Sequence, residues 1–297
     1  MPINKKKVIE DKQIYVIKMN GERELFNPQK LHNSLYRAGA KQLVIEEVLK
    51  KIGKEVKPEM TTSEIYRLAF SMLHVEQKKT AFRYSLRRAV NELGPTGFGF
   101  EKFVAEIFKA RGYETKTDQI VNGYCISHEV DVVAWDKDNL LMCEAKFHND
   151  MDLKSDVKIA LYVQARMEDL AKVNHSGFGT PDRKMTEGWL ITNTKFSSAA
   201  IQYGMCRNLK MVGWNFPQIT NLHSMIEVTR TVPITALQSL TQEEKQRLIG
   251  QGLVLCLQIN SEVVLAKNGI PKTKIKKVLD EITEATNILG NPQNVDF

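Results

Sequence analysis

The segment HEVDVVAWDKDNLLMCEAKF, residues 128–147, holds two stretches in which polar and apolar residues alternate. Alternation with a period of two is typical of strands that bury one face. The first stretch carries Glu129 and Asp131 on the same face, and the second carries Glu144. Lys146 follows Glu144 on that same face. Only a short polar turn separates the stretches, so we expect neighbouring strands that bring two carboxylates and an ammonium group together at one end of a sheet.

The residues on either side predict an α/β domain around this pair of strands. An amphipathic helix with Phe103, Ile107 and Phe108 on one face comes before it. Helix and strand patterns then alternate, which fits helices packed on both faces of a mixed sheet. The predicted elements, in the order helix, three strands, helix, strand, helix and strand, occupy residues 100–111, 113–121, 128–135, 140–147, 155–172, 189–192, 197–208 and 211–214.

The first third of the chain predicts a β-hairpin followed by helices. Residues 13–19 form a strand pattern, and Asn20-Gly21 after it is a strong hairpin signal. Asn27-Pro28 then begins a helix, because asparagine is a favoured N-cap and proline fits the first helical position. We expect Thr62 or Ser63 to cap a later helix. Those later helices are predicted at residues 42–53, 63–74 and 77–92.

Two composition changes divide the chain. Residues 94–99 contain three glycines and a proline, the clearest linker in the sequence, and the pattern turns helical after Pro233. We therefore expect an α/β multidomain protein with a hairpin-plus-helix domain at 1–93, an α/β domain at 94–232 and a small helical region at 233–297. The helical pieces of the last region are predicted at residues 237–240, 243–250, 254–259 and 274–285.

Composition excludes several classes of protein. The chain has 297 residues, of which 42% are hydrophobic and 26% charged, and these values exclude wholesale disorder. It has no run of about 18 apolar residues, so no membrane span is predicted, and the basic residues 5–7 lack the apolar stretch of a secretory signal. Four widely spaced cysteines indicate a reducing, cytoplasmic location. They are Cys125, Cys143, Cys206 and Cys256.

The net charge of +7 is concentrated in the first third of the chain. Residues 1–95 carry +8, residues 96–233 carry −1, and residues 234–297 are neutral. A basic region predicts an anionic partner, either nucleotide phosphates or a nucleic acid backbone. A solvated, lysine-rich surface is the alternative interpretation.

The predicted cluster of Asp131, Glu144 and Lys146 suits phosphodiester hydrolysis. Carboxylate oxygens are the ligands that Mg²⁺ prefers, and the ion stabilises charge on a phosphate and lowers the pKa of a bound water. A neighbouring lysine can orient or deprotonate that water, or stabilise the developing anion. Glu101, on the preceding helix, is a candidate third acid. Ordinary surface ion pairs on two strands are the alternative.

The pattern of residues 97–101, Asp131 and Glu144-Ala145-Lys146 resembles the PD-(D/E)XK restriction-endonuclease-like superfamily, in particular its type IV restriction endonuclease branch. The resemblance spans about residues 95–230. It implies that Asp131 and Glu144 bind Mg²⁺ (or Mn²⁺), that Lys146 is the catalytic lysine and that Glu101 is an accessory acid. The family often places a polar side chain on the following helix. Three residues compete for that role, of which Gln164 is the nearest chemical match: Tyr162, Gln164 and Arg166.

The first third resembles an ATP-cone, a regulatory nucleotide domain, over about residues 13–93. The resemblance implies that Lys18 and Lys30 contact the phosphates of ATP or dATP. It also implies that four further residues shape the base and ribose site, namely Val16, Glu24, Asn27 and Thr62. A strand lysine and a lysine in the first turn of a helix can clamp a triphosphate at that helix's N-terminus. The family usually has arginine after the strand lysine, where this sequence has Met19.

Two functions remain open from the sequence. The first is a cytoplasmic, nucleotide-regulated, Mg²⁺-dependent DNA endonuclease. The second is a nucleotide-sensing DNA-binding regulator whose nuclease fold does not cut. The segment Asn268-Gly269-Ile270-Pro271 loosely resembles a helix-hairpin-helix that would contact DNA phosphates. Packing or dimerisation is the alternative for this C-terminal region, so a homo-oligomer also stays open.

Overall fold

The computed structural model describes residues 14–18, 21–179 and 182–289. The chain forms two compact units that divide between Tyr84 and Ser85, within one helix. The first unit contains β1 (Tyr15–Ile17), β2 (Arg23–Leu25), α1 (Pro28–Arg37), α2 (Gln42–Glu55), α3 (Thr62–Glu76) and the start of α4 (Lys78–Asn91). The second unit begins with the remainder of α4.

The first unit is a hairpin packed with a small helical core. β1 and β2 are antiparallel, with Val16 opposite Glu24. Asn27 caps α1 and accepts hydrogen bonds from the backbone N–H groups of Gln29 and Lys30 at 2.9 and 3.3 Å. The apolar faces of the helices share one core, because their buried residues recur at helical spacing. That core includes Val16, Leu35, Ile45, Ile52, Ala69 and Leu73.

The expected cap of the third helix was wrong by one residue. Thr61, rather than Thr62 or Ser63, is the N-cap of α3. Its hydroxyl accepts from Glu64 N–H at 3.2 Å, and the Glu64 carboxylate accepts from Thr61 N–H at 2.7 Å. This capping box satisfies two backbone donors at once. Ile17 N–H donates to Met60 O at 3.0 Å, which ties β1 to the start of α3.

The second unit is built on a five-stranded mixed sheet. The strands of this unit, five of which form the main sheet, are β3 (Glu114–Asn122), β4 (Ser127–Trp135), β5 (Leu140–Lys146), β6 (Lys154–Ser155), β7 (Asn174–His175), β8 (Arg183–Lys184), β9 (Glu187–Thr192), β10 (Lys195–Phe196) and β11 (Lys210–Val212). The sheet order is β11-β9-β5-β4-β3, antiparallel between β3, β4 and β5 and parallel from β5 through β9 to β11. β6 pairs with β10 and β7 pairs with β8 in two small separate sheets.

Helices cover both faces of the sheet. The helices of the second unit are α5 (Phe98–Ala110), α6 (Val157–Leu170), α7 (Ser198–Cys206), α8 (Leu222–Thr229), α9 (Gln242–Gly250), α10 (Glu262–Lys267) and α11 (Lys272–Ile288). Phe108 of α5 packs edge-on against Trp189, with ring centroids 5.4 Å apart. Leu190 belongs instead to the core beneath α6, with Val163 and Met167. Successive strand residues face opposite sides, so the predicted α/β/α arrangement around a mixed sheet is confirmed.

The Met167 side chain of α6 packs directly on Gly188 of β9. A Cβ atom built on Gly188 of β9 would stand 2.7 Å from Met167 Cγ. Real side chains do not approach so closely, so glycine at this position leaves the room that the Met167 side chain occupies. The residue before Met167 in α6 is Arg166.

The C-terminal half of α4 holds the segment that follows β5. Asn91 Nδ2 donates to Asn149 O at 3.1 Å, and Asn193 Nδ2 donates to Asn91 Oδ1 at 3.2 Å. His148 N–H donates in turn to Asn193 Oδ1 at 2.8 Å. The chain just beyond Lys146 is therefore fixed by a network of side-chain amides.

The C-terminal region is helical, with differences from the predicted pieces. Residues 237–240 form no helix, which corrects that prediction, and the chain instead makes 3₁₀ turns at Ile234–Ala236 and Cys256–Ile259. α8 and α10 were not predicted. Gly269, with φ of 74°, connects α10 to α11. Across the described residues, every helix is too short or too polar to cross a bilayer.

Candidate active site

Asp131 and Glu144 lie on neighbouring antiparallel strands. β4 and β5 pair as far as Val132 with Cys143, and Asp131 and Glu144 are the next residues beyond this pair on their strands. Both carboxylates are partly exposed, whereas Val132 and Cys143 are buried. Asp131 Oδ2 accepts a hydrogen bond from the backbone N–H of Ala145 at 2.7 Å. The structure thus brings together the two carboxylates that the sequence pattern places on one sheet face.

The environment of Asp131 disfavours its charge. Its pKa is raised to about 7, first by burial and second by the neighbouring carboxylate of Glu144. The hydrogen bond from Ala145 and the positive charge of Arg166 act in the opposite direction. The partly buried carboxylates of Asp131 and Glu144 lie close together, and a cation bound between them would cancel their mutual repulsion. Such perturbed groups are typical of functional sites.

Glu144 forms an ion pair with Arg166 of α6. Arg166 Nη1 donates to Glu144 Oε2, and both side chains are more than four-fifths buried. The same guanidinium donates to Glu129 O at 3.0 Å and to Tyr162 Oη at 2.9 Å. It also lies over the Tyr162 ring, 4.8 Å from its centroid. Arg166 is therefore anchored by Glu129 and Tyr162 as well as by Glu144.

Gln164, the nearest chemical match of the three candidates on this helix, points elsewhere. Its Nε2 donates to Glu168 at 3.0 Å on the exposed side of α6. Gln164 and Arg166 are two residues apart, about 200° around a helix. Only one of them can face the sheet, and that residue is Arg166.

Glu101 lies close to Asp131 and Asp118. The pKa of Glu101 is raised, first by burial and then by the charge of Asp131. Its carboxyl group is hydrogen-bonded to Asp118 of β3. A Cβ atom on Gly97 would stand 2.6 Å from Glu101 Oε1, so glycine leaves open the space that this carboxyl group occupies. The predicted accessory acid thus belongs to the cluster.

Asp118 is the acidic residue that the sequence analysis missed. It stands across from Asp131 in the β3–β4 register, but its φ of 55° interrupts the ladder there. Although burial opposes it, hydrogen bonds from Lys102 and Thr117 hold the pKa of Asp118 below its usual range. Lys102 Nζ lies 3.1 Å from Asp118 Oδ2. No sequence signal marked Asp118, because its placement depends on a positive φ at a non-glycine residue.

Lys146 is partly exposed at the end of β5. Its backbone pairs with Thr192 of β9, but its ammonium group forms no hydrogen bond or ion pair with any other described residue. Its ammonium group is therefore available to a ligand. His148 and His128 have other partners: His148 Nε2 contacts Ser155 Oγ at 2.9 Å, and His128 Nε2 contacts Asp169 Oδ2 at 2.8 Å.

In the first unit, Glu24 connects the two lysines of the expected nucleotide site. Lys18 Nζ lies 3.2 Å from Glu24 Oε2, and Lys30 pairs with Glu24 Oε1. The Lys30 hydrogen bond, with that of Lys18, lowers the pKa of Glu24. The lysines therefore converge, with a carboxylate between them.

The other residues expected at that site differ in access. Val16 is buried in the core of the first unit, so its side chain is not exposed to a ligand. Asn27 already caps α1, and Thr62 is the first residue of α3. Met19, whose departure from the family pattern was noted above, lies outside the described residues.

Family models match three successive parts of the chain. An ATP cone domain matches residues 14–92, and a restriction endonuclease domain matches residues 94–222. Both resemblances seen in the sequence are confirmed. A third model, described as AF1548-like, C-terminal, matches residues 233–285.

One solved structure and one curated protein sequence are similar to this chain over nearly their full lengths. A crystal structure of AF1548, a protein of unknown function, has 32% identity and a TM-score of 0.53, and covers 64% of this chain and 98% of that one. An uncharacterized protein of Archaeoglobus fulgidus is 35% identical over 189 residues, which are 63% of this chain and 100% of that protein. The chain belongs to the AF1548-like family. Its middle domain is of the restriction-endonuclease type, which indicates a nuclease.

The carboxylates of this AF1548-like protein suit a hard divalent cation. Among the described residues, no three His, Cys, Asp or Glu side chains are placed to hold a metal ion together. Mg²⁺ commonly takes only one or two protein carboxylates and completes its shell with waters and phosphates. Asp131 and Glu144 each have one oxygen bound by the protein, and the other has no partner within the described chain. This donor set fits Mg²⁺ or Mn²⁺.

Proposed function

We propose that this protein is a Mg²⁺-dependent DNA endonuclease regulated by a nucleoside triphosphate. The observation that carries the proposal is the convergence of Asp131 and Glu144 from adjoining strands, with Lys146 on the same face. When bound, the cation would stabilise charge on the scissile phosphate and activate a water. The matched restriction endonuclease domain supports this reaction class.

Each proposed catalytic residue has its own task. Asp131 and Glu144 hold the cation through their available oxygens. Lys146 orients the attacking water or stabilises the negative charge that develops on the phosphate. Glu101 retains its proton more readily than an ordinary glutamate, because burial and Asp131 raise its pKa. It therefore adds hydrogen-bonding capacity without another full negative charge near the DNA.

The test of the nuclease is cleavage of plasmid DNA with Mg²⁺ by the whole protein. We expect cleavage by the wild type and none by Asp131→Asn or Glu144→Gln, with melting temperatures close to the wild type. Glu168→Gln is the matched control, since Glu168 is an exposed carboxylate bound to Gln164 and Arg207. Cleavage that survives in both site variants would reject the assignment.

A DNA-binding regulator that does not cut is the second candidate. The ion pair between Glu144 and Arg166 favours it, because one proposed ligand is already neutralised. This candidate predicts that the wild type does not cleave plasmid DNA under any combination of Mg²⁺, ATP and dATP. A separate binding measurement with the same DNA should still detect a complex.

The nucleotide site is proposed at Lys18 and Lys30, beside the N-terminus of α1. We expect Lys18→Ala or Lys30→Ala to weaken ATP or dATP binding by about 1.5–3 kcal/mol if each lysine bonds a phosphate directly. This corresponds to a rise of roughly tenfold to hundredfold in the dissociation constant. Lys50→Ala, an exposed lysine on α2, is the control. Calorimetry that detects no binding to the wild type at millimolar nucleotide would reject the site.

A further inference from the structure

The guanidinium of Arg166 makes more contacts than its ion pair with Glu144 alone. Its guanidinium has two anchors besides Glu144, the carbonyl of Glu129 on β4 and the hydroxyl of Tyr162 on its own helix. The Arg166 side chain is only 11% exposed. Its position is therefore set by the protein fold, and Glu144 is bound to a group that is already fixed.

The contacts leave a matching pair of oxygens. Arg166 occupies Glu144 Oε2, and the Ala145 N–H occupies Asp131 Oδ2. Within the described chain, Glu144 Oε1 and Asp131 Oδ1 accept no hydrogen bond. A carboxylate with one oxygen held by a neighbour cannot rotate freely, so its second oxygen keeps one direction. Partners of this kind around metal ligands commonly determine metal affinity.

We propose that Arg166 is a positioning residue for the divalent cation: it holds one oxygen of Glu144 so that the other is presented beside Asp131. This inference rests on the proposed metal site. It runs against simple charge reasoning, because removing a positive charge near a cation should tighten cation binding. If Arg166 acts through geometry, its removal weakens binding instead.

The test is titration of the whole protein with Mn²⁺ alone, without DNA or nucleotide, by calorimetry. Arg166→Met keeps much of the side chain's length and removes the donors and the charge. Arg166→Lys keeps the charge but cannot reach Glu144, Glu129 and Tyr162 at the same time. We expect both variants to bind Mn²⁺ roughly tenfold to hundredfold more weakly than the wild type.

Two further variants keep the test decisive. Tyr162→Phe removes one anchor at an exposed position, so it should fold normally and show a smaller loss in the same direction. Gln164→Ala, on the exposed side of α6, should bind Mn²⁺ as the wild type does. Unchanged or tighter binding by Arg166→Met, or wild-type binding by Arg166→Lys, would overturn the positioning role.

Glu144→Gln separates the two levels of the proposal. If the wild type binds Mn²⁺ and Glu144→Gln loses this binding, the metal site stands and the Arg166 variants decide the inference alone. If the wild type binds no Mn²⁺, or Glu144→Gln binds equally well, the metal site itself is wrong and the role of Arg166 is rejected with it.

Discussion

Asp131, Glu144 and Lys146 differ in how strongly the protein holds them. A backbone N–H fixes Asp131 and a guanidinium fixes Glu144, whereas the side chain of Lys146 has no bonded partner within the described chain. A group that must move a proton or follow a changing charge gains from such freedom, while a metal ligand gains from restraint. The difference separates the ligand role from the catalytic role.

Replacing Lys146 should therefore affect turnover more than metal binding. We expect Lys146→Ala to lower the single-turnover cleavage rate by about 10²–10⁴-fold, the range for loss of a general acid or base. Its Mn²⁺ affinity should stay within about threefold of the wild type, because the Lys146 ammonium group contacts neither Asp131 nor Glu144. A parallel collapse of both quantities would assign Lys146 to the metal site instead.

At the scale of elements, Asp169 of α6 joins the helix to the turn between β3 and β4. Its carboxylate accepts from Cys125 N–H at 2.9 Å and contacts His128 Nε2 at 2.8 Å. A Cβ atom on Gly123 would collide with this carboxylate, so the turn closes tightly on it. These contacts hold the hairpin that carries Asp131.

The contribution of Asp169 to stability should depend on pH. The hydrogen bond with His128 and those from Cys125 and Ile126 hold the pKa of Asp169 well below its usual range. A carboxylate with a depressed folded-state pKa stabilises the fold above its unfolded pKa of about 3.9, and this contribution is lost as the pH falls below that value. Wild type should therefore melt above Asp169→Asn at pH 6, and the gap should shrink steadily from pH 4 towards pH 2. A constant gap would show that the carboxylate charge is not responsible.

How far the sequence predicts each element depends on how local its cause is. β4 and β5 were predictable because alternation alone marks a half-buried strand, and so was the convergence of Asp131 with Glu144. α8 is eight residues long and follows an irregular segment, so its periodicity was too short to recognise. The choice of Arg166 over Gln164 depends on the rotation of α6 over the sheet, which tertiary packing decides. Asp118 depends on a positive φ at a non-glycine residue, which no sequence pattern predicts.

At the scale of the whole molecule, the chain joins a nucleotide-type domain to a nuclease-type domain. If nucleotide regulates cleavage, binding at one domain must change affinity at the other, typically by about 1–3 kcal/mol or fivefold to hundredfold. By linkage, a DNA that cannot be cleaved should change ATP or dATP affinity by the same factor as nucleotide changes DNA affinity. The sign is open, since activation and shielding both satisfy this relation.

Calorimetry with nucleotide, in the presence and absence of a phosphorothioate DNA, measures this coupling. The Lys18→Ala variant is the control, because it should lose the nucleotide effect on DNA affinity while retaining DNA binding itself. Equal nucleotide affinities with and without DNA, together with an unchanged cleavage rate, would mean that the two domains function independently.

The contact between Gly188 and Met167 has a genetic consequence. A methyl group on Gly188 cannot fit beneath Met167 Cγ, so Gly188→Ala should lift α6 and draw Arg166 away from Glu144, although residue 188 has no polar side chain. Shortening the residue above should make room again. In a selection for nuclease activity, we therefore expect inactive Gly188→Ala to recover through second-site changes such as Met167→Ala, and Met167→Ala alone to be a milder, cavity-forming lesion. Such allele-specific suppression would show that the packing of α6 on β9 determines the geometry of the active site.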